Sequence, residues 1–128
     1  MSERPLVVVA DDEEDILMLV DATLRAAGFD VMRAQTGVQA LELVRAHAPR
    51  LAVLDVSMPE LDGLEVLQRL RGDEATASLP IVLLSALAQE SDVARGYELG
   101  ASKYLRKPFR PSELIAIARE LAAQPGGE

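Results

Sequence analysis

The sequence predicts an α/β fold in which a parallel sheet of five strands carries helices on both faces. Three observations lead there. Short, continuous runs of Val, Leu and Ile alternate with longer stretches of helical periodicity, the pattern of strands buried on both sides. Five such units fit into 128 residues, near the usual size of one domain, so a single core is expected. Hydrophobic residues make up 49% of the chain but aromatics only 3%, so that core has to be built from aliphatic side chains.

The first strand reads from Leu6 to Ala10 and is nearly all valine. It meets an acidic cluster at Asp11 that opens a helix with Ile16, Val20 and Leu24 on one stripe, and Gly28 stops that helix. A second strand reads from Phe29 to Ala34. The helix after it runs from about Val38 to Ala48 with Val38, Leu41 and Val44 inward, and Pro49 ends it. The third strand, Leu51 to Leu54, runs into Asp55-Val-Ser-Met-Pro-Glu-Leu-Asp-Gly63, a loop by its proline and glycine, before a helix carrying Leu64, Leu67 and Leu70. Ile81 to Leu84 is the fourth strand, Tyr104-Leu105 the core of the fifth, and Leu114, Ile117 and Leu121 mark the last helix. The domain is expected over residues 1–122, with 123–128 as a flexible tail.

Composition excludes several functions. A net charge of -8 opposes direct nucleic-acid binding, which needs clustered Lys and Arg. The absence of cysteine removes disulfides and thiolate metal sites, and no apolar run approaches the roughly 20 residues that span a bilayer. The start, Met-Ser-Glu-Arg-Pro, has no signal-peptide character, so a cytoplasmic protein without membrane contact is expected. His47 is the only histidine and reads as a surface residue near a helix end, which leaves little from which to build a zinc site or a Ser-His-Asp triad.

Four polar positions recur at one kind of place. Asp11-Asp12, Asp55, Ser85 and Lys107 each follow the carboxyl end of a predicted strand, where open α/β sheets bind ligands. Taken singly, Asp11, Asp12 or Glu13 reads equally well as a cap of the next helix, Ser85 as a core or turn serine, and Lys107 as an exposed lysine. Taken together, strands ending at one site bring three carboxylates close, and like charges at that range raise one another's pKa unless a cation compensates. A hard divalent ion is implied. Mg²⁺ suits such ligands, because it prefers carboxylate, carbonyl and water oxygens and leaves positions open for phosphate. Lys107 precedes Pro108, and that restricted backbone, with a cis peptide if one forms, can aim the ammonium into the site.

These residues, in this order and spacing, resemble the receiver domains of two-component response regulators, in particular the single-domain, chemotaxis-type receivers. The resemblance covers Leu6 to Ala122 and rests on Val-Val-Val-Ala-Asp11-Asp12-Glu-Glu, Leu-Asp55-Val-Ser-Met-Pro59-Glu-Leu-Asp-Gly63, Leu-Leu-Ser85-Ala86, Gly100-Ala-Ser-Lys-Tyr104-Leu and Lys107-Pro108-Phe109. It implies a flavodoxin-like (βα)5 doubly wound sheet of order 2-1-3-4-5. It implies that Asp55 accepts a phosphoryl group from a phosphohistidine on a sensor histidine kinase or a histidine phosphotransfer protein, forming an acyl phosphate. Mg²⁺ is implied on Asp12, Asp55 and the Ser57 backbone carbonyl, with Asp11 holding a coordinated water. Ser85, the Ala86 backbone N–H and Lys107 are implied to bind phosphoryl oxygens. Ser85 and Tyr104 are the implied switch pair, although Tyr104 also reads as a strand residue covering the sheet. Ser57 and Leu87 are implied to tune dephosphorylation. The chain is then a signalling switch that catalyses only its own phosphorylation and slow autodephosphorylation, and it acts on a downstream protein target through the face of the fourth helix, fifth strand and fifth helix.

The sequence departs from dimerising relatives in one respect. Arg95 is present, but the two positions before Tyr104, commonly both acidic in those relatives, are Ser102 and Lys103, so a monomer or weak dimer is expected. Three rival functions meet specific residues. A phosphohydrolase would carry a second carboxylate two residues after the nucleophile, where Ser57 stands. A phosphorylation-independent adaptor would lack a site member, and all are present. A flavin site would need a phosphate-cradling loop after the first strand, where this chain has Asp-Asp-Glu-Glu-Asp.

Overall fold

The computed structural model describes residues 4–86 and 89–123. Strands and helices alternate along them: β1 (Leu6–Ala10), α1 (Glu14–Ala26), β2 (Asp30–Ala34), α2 (Gly37–His47), β3 (Leu51–Asp55), α3 (Gly63–Gly72), β4 (Ile81–Ser85), α4 (Glu90–Glu98), β5 (Lys103–Arg106) and α5 (Pro111–Ala122). All neighbouring strands pair in parallel, in the order β2-β1-β3-β4-β5. Doubly wound topology and strand order are those the sequence resemblance implies.

Alternation along each strand sorts the core into two layers. Val8, Ala10, Ala52, Leu54, Ile81 and Leu83 face α2 and α3, whereas Val7, Val9, Val53, Val82, Leu84 and Leu105 face α1 and α5. Every residue of β3 and β4 is buried, which is why their sequences read as unbroken apolar runs rather than alternating ones. Helix α1 buries Leu17, Val20 and Leu24 together with Asp21, whose carboxylate is paired by Arg25 one turn along and by Arg33 from β2. This ion pair ties α1 to the outer strand and compensates a charge that would otherwise be costly to bury.

The structure corrects four details of the sequence reading. Phe29 precedes β2 rather than starting it, and its N–H donates to Leu24 O at 3.0 Å as part of the turn out of α1. Val38 points outward, at 43% exposure, because α2 begins one residue earlier behind the Thr36 cap and turns Gly37, Ala40, Leu41 and Val44 inward. Asp55 and Ser85 are the last residues of β3 and β4 rather than the first beyond them.

Two glycines let the loop after β3 close on the sheet. A Cβ at Gly37 would stand 1.9 Å from Leu61 O, and one at Gly63 would stand 2.2 Å from Asp55 O. Gly63 N–H donates to Val56 O at 2.9 Å, so the start of α3 is drawn against the end of β3. The reciprocal Asp62–Glu65 capping box then fixes the first turn of that helix. Substituting Gly63→Ala is expected to push α3 off the Asp55 backbone and lower stability by about 1–3 kcal/mol, the usual cost of overpacking. Urea unfolding measures it, and an unchanged midpoint would contradict the close approach.

Candidate functional site

Strand order places the site. The chain leaves β1 toward β2 on one side and reaches β3 on the other, so a crevice opens beyond the carboxyl ends of β1 and β3. Asp11 follows β1 and Asp55 ends β3, both buried, at 0% and 4% exposure. Asp12 beside them is exposed. Carboxylate oxygens of Asp11, Asp12 and Asp55 lie within 4.8 Å of one another, and the cluster could hold a metal ion. From the other side comes Lys107, the residue after β5, followed by a cis Lys107–Pro108 peptide. Its backbone N–H donates to Ser85 O at 2.8 Å, which links the ends of β4 and β5. Its Nζ lies 2.9 Å from Asp11 Oδ2, 3.2 Å from Glu13 Oε1 and 3.3 Å from Asp55 Oδ1.

Burial and like charge dominate the electrostatics. Burial, and then the neighbouring Asp11 carboxylate, push Asp55 up to about 6, against the opposing pull of the Lys107 ammonium and the Ser57 N–H. For Lys107, burial acts to lower the pKa, but Asp11, Asp55 and Glu13 outweigh it and hold the ammonium above its ordinary value. Asp11 uses Oδ1 to accept the Glu13 N–H at 2.9 Å. Its Oδ2 is fully buried and, despite the nearby ammonium, has no hydrogen bond of good geometry. A buried carboxylate oxygen held by an ion pair alone, beside the oxygens of two further carboxylates, is the donor chemistry that Mg²⁺ takes, so these residues fit that ion.

The expected site residues therefore converge in part. Asp11, Asp12, Asp55 and Lys107 meet directly, and buried Ser85 joins them through the Lys107 backbone. Ser57 follows in the loop with its N–H turned to the Asp55 carboxylate, and Ala86 is exposed just past β4. Leu87 lies outside the described residues. Tyr104 is the second residue of β5, three residues before Lys107. Its ring lies where a Cβ on Gly96 of α4 would come within 2.9 Å, and it lines a small cavity of about 30 Å³ with Val56, Leu64, Asp92 and Arg95. Two residues contribute in ways the sequence does not indicate. Gly63, which closes the motif after Asp55, gives the Asp55 backbone its close neighbour. Glu13, read only as a candidate cap, reaches Lys107. No helix among the described residues is long and apolar enough to cross a membrane.

Comparison with known proteins places these observations in one group. The family described as response regulator receiver domain matches residues 7–119. The chain is 41% identical over 117 residues to the DNA-binding dual master transcriptional regulator RpaA of Synechocystis sp., covering 91% of this chain and 48% of that protein. The structure superposes on the receiver domain of the Francisella response regulator 1452 with a TM-score of 0.88 and 34% identity, covering 92% of this chain and 96% of the other. It superposes on the BeF3-activated N-terminal receiver domain of Klebsiella pneumoniae RstA with a TM-score of 0.87 and 31% identity, covering 93% and 99%. The chain spans about half the length of the curated relatives it matches.

The raised Asp55 pKa has a consequence for stability. Folding favours the protonated form, so below the ordinary value of 3.8 the carboxyl costs nothing, and above about 6 the folded state bears the full cost of the buried charge. Removing the charge with Asp55→Asn is expected to stabilise the metal-free protein at pH 8 by on the order of 2–3 kcal/mol, with the gain fading as pH falls from 6 toward 4. Thermal melts in chelator across that range check it; a pH-independent difference would contradict the assignment.

Proposed function

The chain belongs to the response regulator receiver domain family, and on that premise we propose that it is a phospho-accepting switch whose nucleophile is Asp55. One observation carries the reading: a buried carboxylate at the sheet's switch point, 3.3 Å from a lysine ammonium and clustered with two further carboxylates. In the metal-free site burial and Asp11 hold the Asp55 carboxyl above the usual carboxylate range, and a cation on the cluster would favour the ionised form that attacks phosphorus. An Asp55 oxygen attacks phosphorus as the nitrogen–phosphorus bond of a phosphohistidine breaks. The donor imidazole leaves, and an acyl phosphate remains on Asp55. Because such transfer has a loose transition state, the chain's task is positioning and charge neutralisation.

Lys107, the Ser85 hydroxyl and the Ala86 N–H bind phosphoryl oxygens in this reading. Asp12, Asp55 and the Ser57 carbonyl, with Asp11 through a water, would hold Mg²⁺, which when bound neutralises the charge gathered by carboxylates and phosphoryl group. Ser57 and Leu87 border the path of hydrolytic water and tune the lifetime of the modification. The phosphoryl donor is a sensor histidine kinase or a histidine phosphotransfer protein, and the setting is the cytoplasm.

Output passes through the face of α4, β5 and α5 to a downstream protein. Ser85 moves toward the phosphoryl group and Tyr104 turns inward, a two-state equilibrium biased by contacts better made in the active state. Support comes from the small cavity that Tyr104 shares with Val56, the residue after Asp55. RpaA is named as DNA-binding, but this chain matches about half of it, and the net charge of -8 opposes nucleic-acid contact by these residues themselves. The chain is a monomer or weak dimer, since Ser102 and Lys103 replace the acidic pair that would support a charged interface.

Intact mass after incubation with acetyl phosphate and Mg²⁺ tests the reading. One phosphoryl adduct is expected on wild type and none on Asp55→Asn or with chelator; absence of an adduct on wild type, together with no binding of beryllofluoride, would overturn it. Tyr104→Ala is expected to keep the adduct and weaken partner selection, and equal partner affinity in both proteins would count against the switch role. Sedimentation with beryllofluoride is expected to show no tight dimer.

A further inference from the structure

Glu13 stands at the N-cap of α1, where a short polar side chain ordinarily accepts an N–H of the first turn. Its side chain accepts none. The carboxylate instead crosses to Lys107, 94 residues away in sequence, with Oε1 at 3.2 Å from Nζ. Asp11 and Asp55 complete the surround at 2.9 Å and 3.3 Å. Three carboxylates thus surround one ammonium, Glu13 through a hydrogen bond and Asp11 and Asp55 as ion pairs.

The three contacts differ in what phosphorylation does to them. Asp11 and Asp55 belong to the cluster that could hold a metal, so a bound cation would take up their charge, and phosphorylation would convert the Asp55 carboxylate to an acyl phosphate. Glu13 lies outside that cluster and keeps its charge throughout. A phosphoryl oxygen that binds Lys107 therefore shares the ammonium with Glu13, whose attraction for it opposes that contact. We propose that Glu13 is a positioning residue that restrains Lys107 in the unphosphorylated protein and lowers the site's affinity for a phosphoryl group. The inference rests on the phospho-accepting reading above.

Because the Glu13 side chain is 64% exposed and that of Lys107 only 11%, the restraint has the scale of a surface ion pair, roughly two- to five-fold in binding. Glu14 provides a control of equal charge one residue on, since its carboxylate is engaged elsewhere, by Gln35 at 2.8 Å and Arg33 at 3.5 Å.

The test measures beryllofluoride affinity by calorimetry at saturating Mg²⁺ for wild type, Glu13→Gln and Glu14→Gln. The Lys107 side-chain ammonium resonance of each metal-free protein is recorded alongside by NMR. Glu13→Gln is expected to bind roughly two- to five-fold tighter and to shift that resonance, while Glu14→Gln does neither. Equal affinity of Glu13→Gln and wild type, or the same gain in both variants, would overturn the inference while leaving the phospho-accepting reading intact. No beryllofluoride binding by wild type would remove that reading and this role of Glu13 with it.

Discussion

Two buried carboxylates, Asp11 and Asp55, face one ammonium at the end of the sheet, and much of the architecture serves to make that arrangement tolerable. A carboxylate inside a protein is costly unless paired, and two side by side repel as well. Lys107 answers both charges from β5, and its backbone is tied to Ser85 at the end of β4. The compensation is incomplete: Asp11 keeps a buried oxygen without a well-formed hydrogen bond, and Asp55 stays less acidic than an ordinary aspartate. A site left with surplus negative charge could hold a cation, which is the premise of the phospho-accepting role proposed above.

The sheet supplies the rigidity this needs. β3 and β4 are buried along their whole length, and the loop after β3 is held by close contacts at Gly37 and Gly63 that leave no room for a side chain. Asp55 therefore sits on closely packed backbone. The opposite edge is looser. Among the described residues of α4 only Gly96 is buried, and the Tyr104 ring packs where that glycine lacks a Cβ. Stability is concentrated where the chemistry is placed and reduced where a conformational change is proposed, the distribution expected of a switch.

Much of this was legible from residue type and order. Apolar runs between helical stretches indicated a parallel sheet covered on both faces, because only strands buried on both sides lose their alternation. Asp11, Asp12, Asp55, Ser85 and Lys107 stood out because each falls at the carboxyl end of a strand, and the motifs around them indicated the family. Less legible were details set by a shift of one residue. Val38 and Leu41 fit one helical stripe equally well with or without Gly37 inward, and what turns Val38 to solvent is the contact of Gly37 with Leu61.

Local pattern was enough for the number of units, the aliphatic core and the carboxylates that cluster at the sheet's end, since strand burial, helix periodicity and turn chemistry are properties of neighbouring residues. Contacts between distant segments were not available to it. That Glu13 leaves its helix cap for Lys107, that Gly63 must be glycine because Asp55 O lies behind it, and that Asp11 Oδ2 is buried with an ion pair but no hydrogen bond all follow from where β1, β3 and β5 end in space. Energies of buried charge and close packing depend on distances across the sheet, and those exist only once the chain has folded.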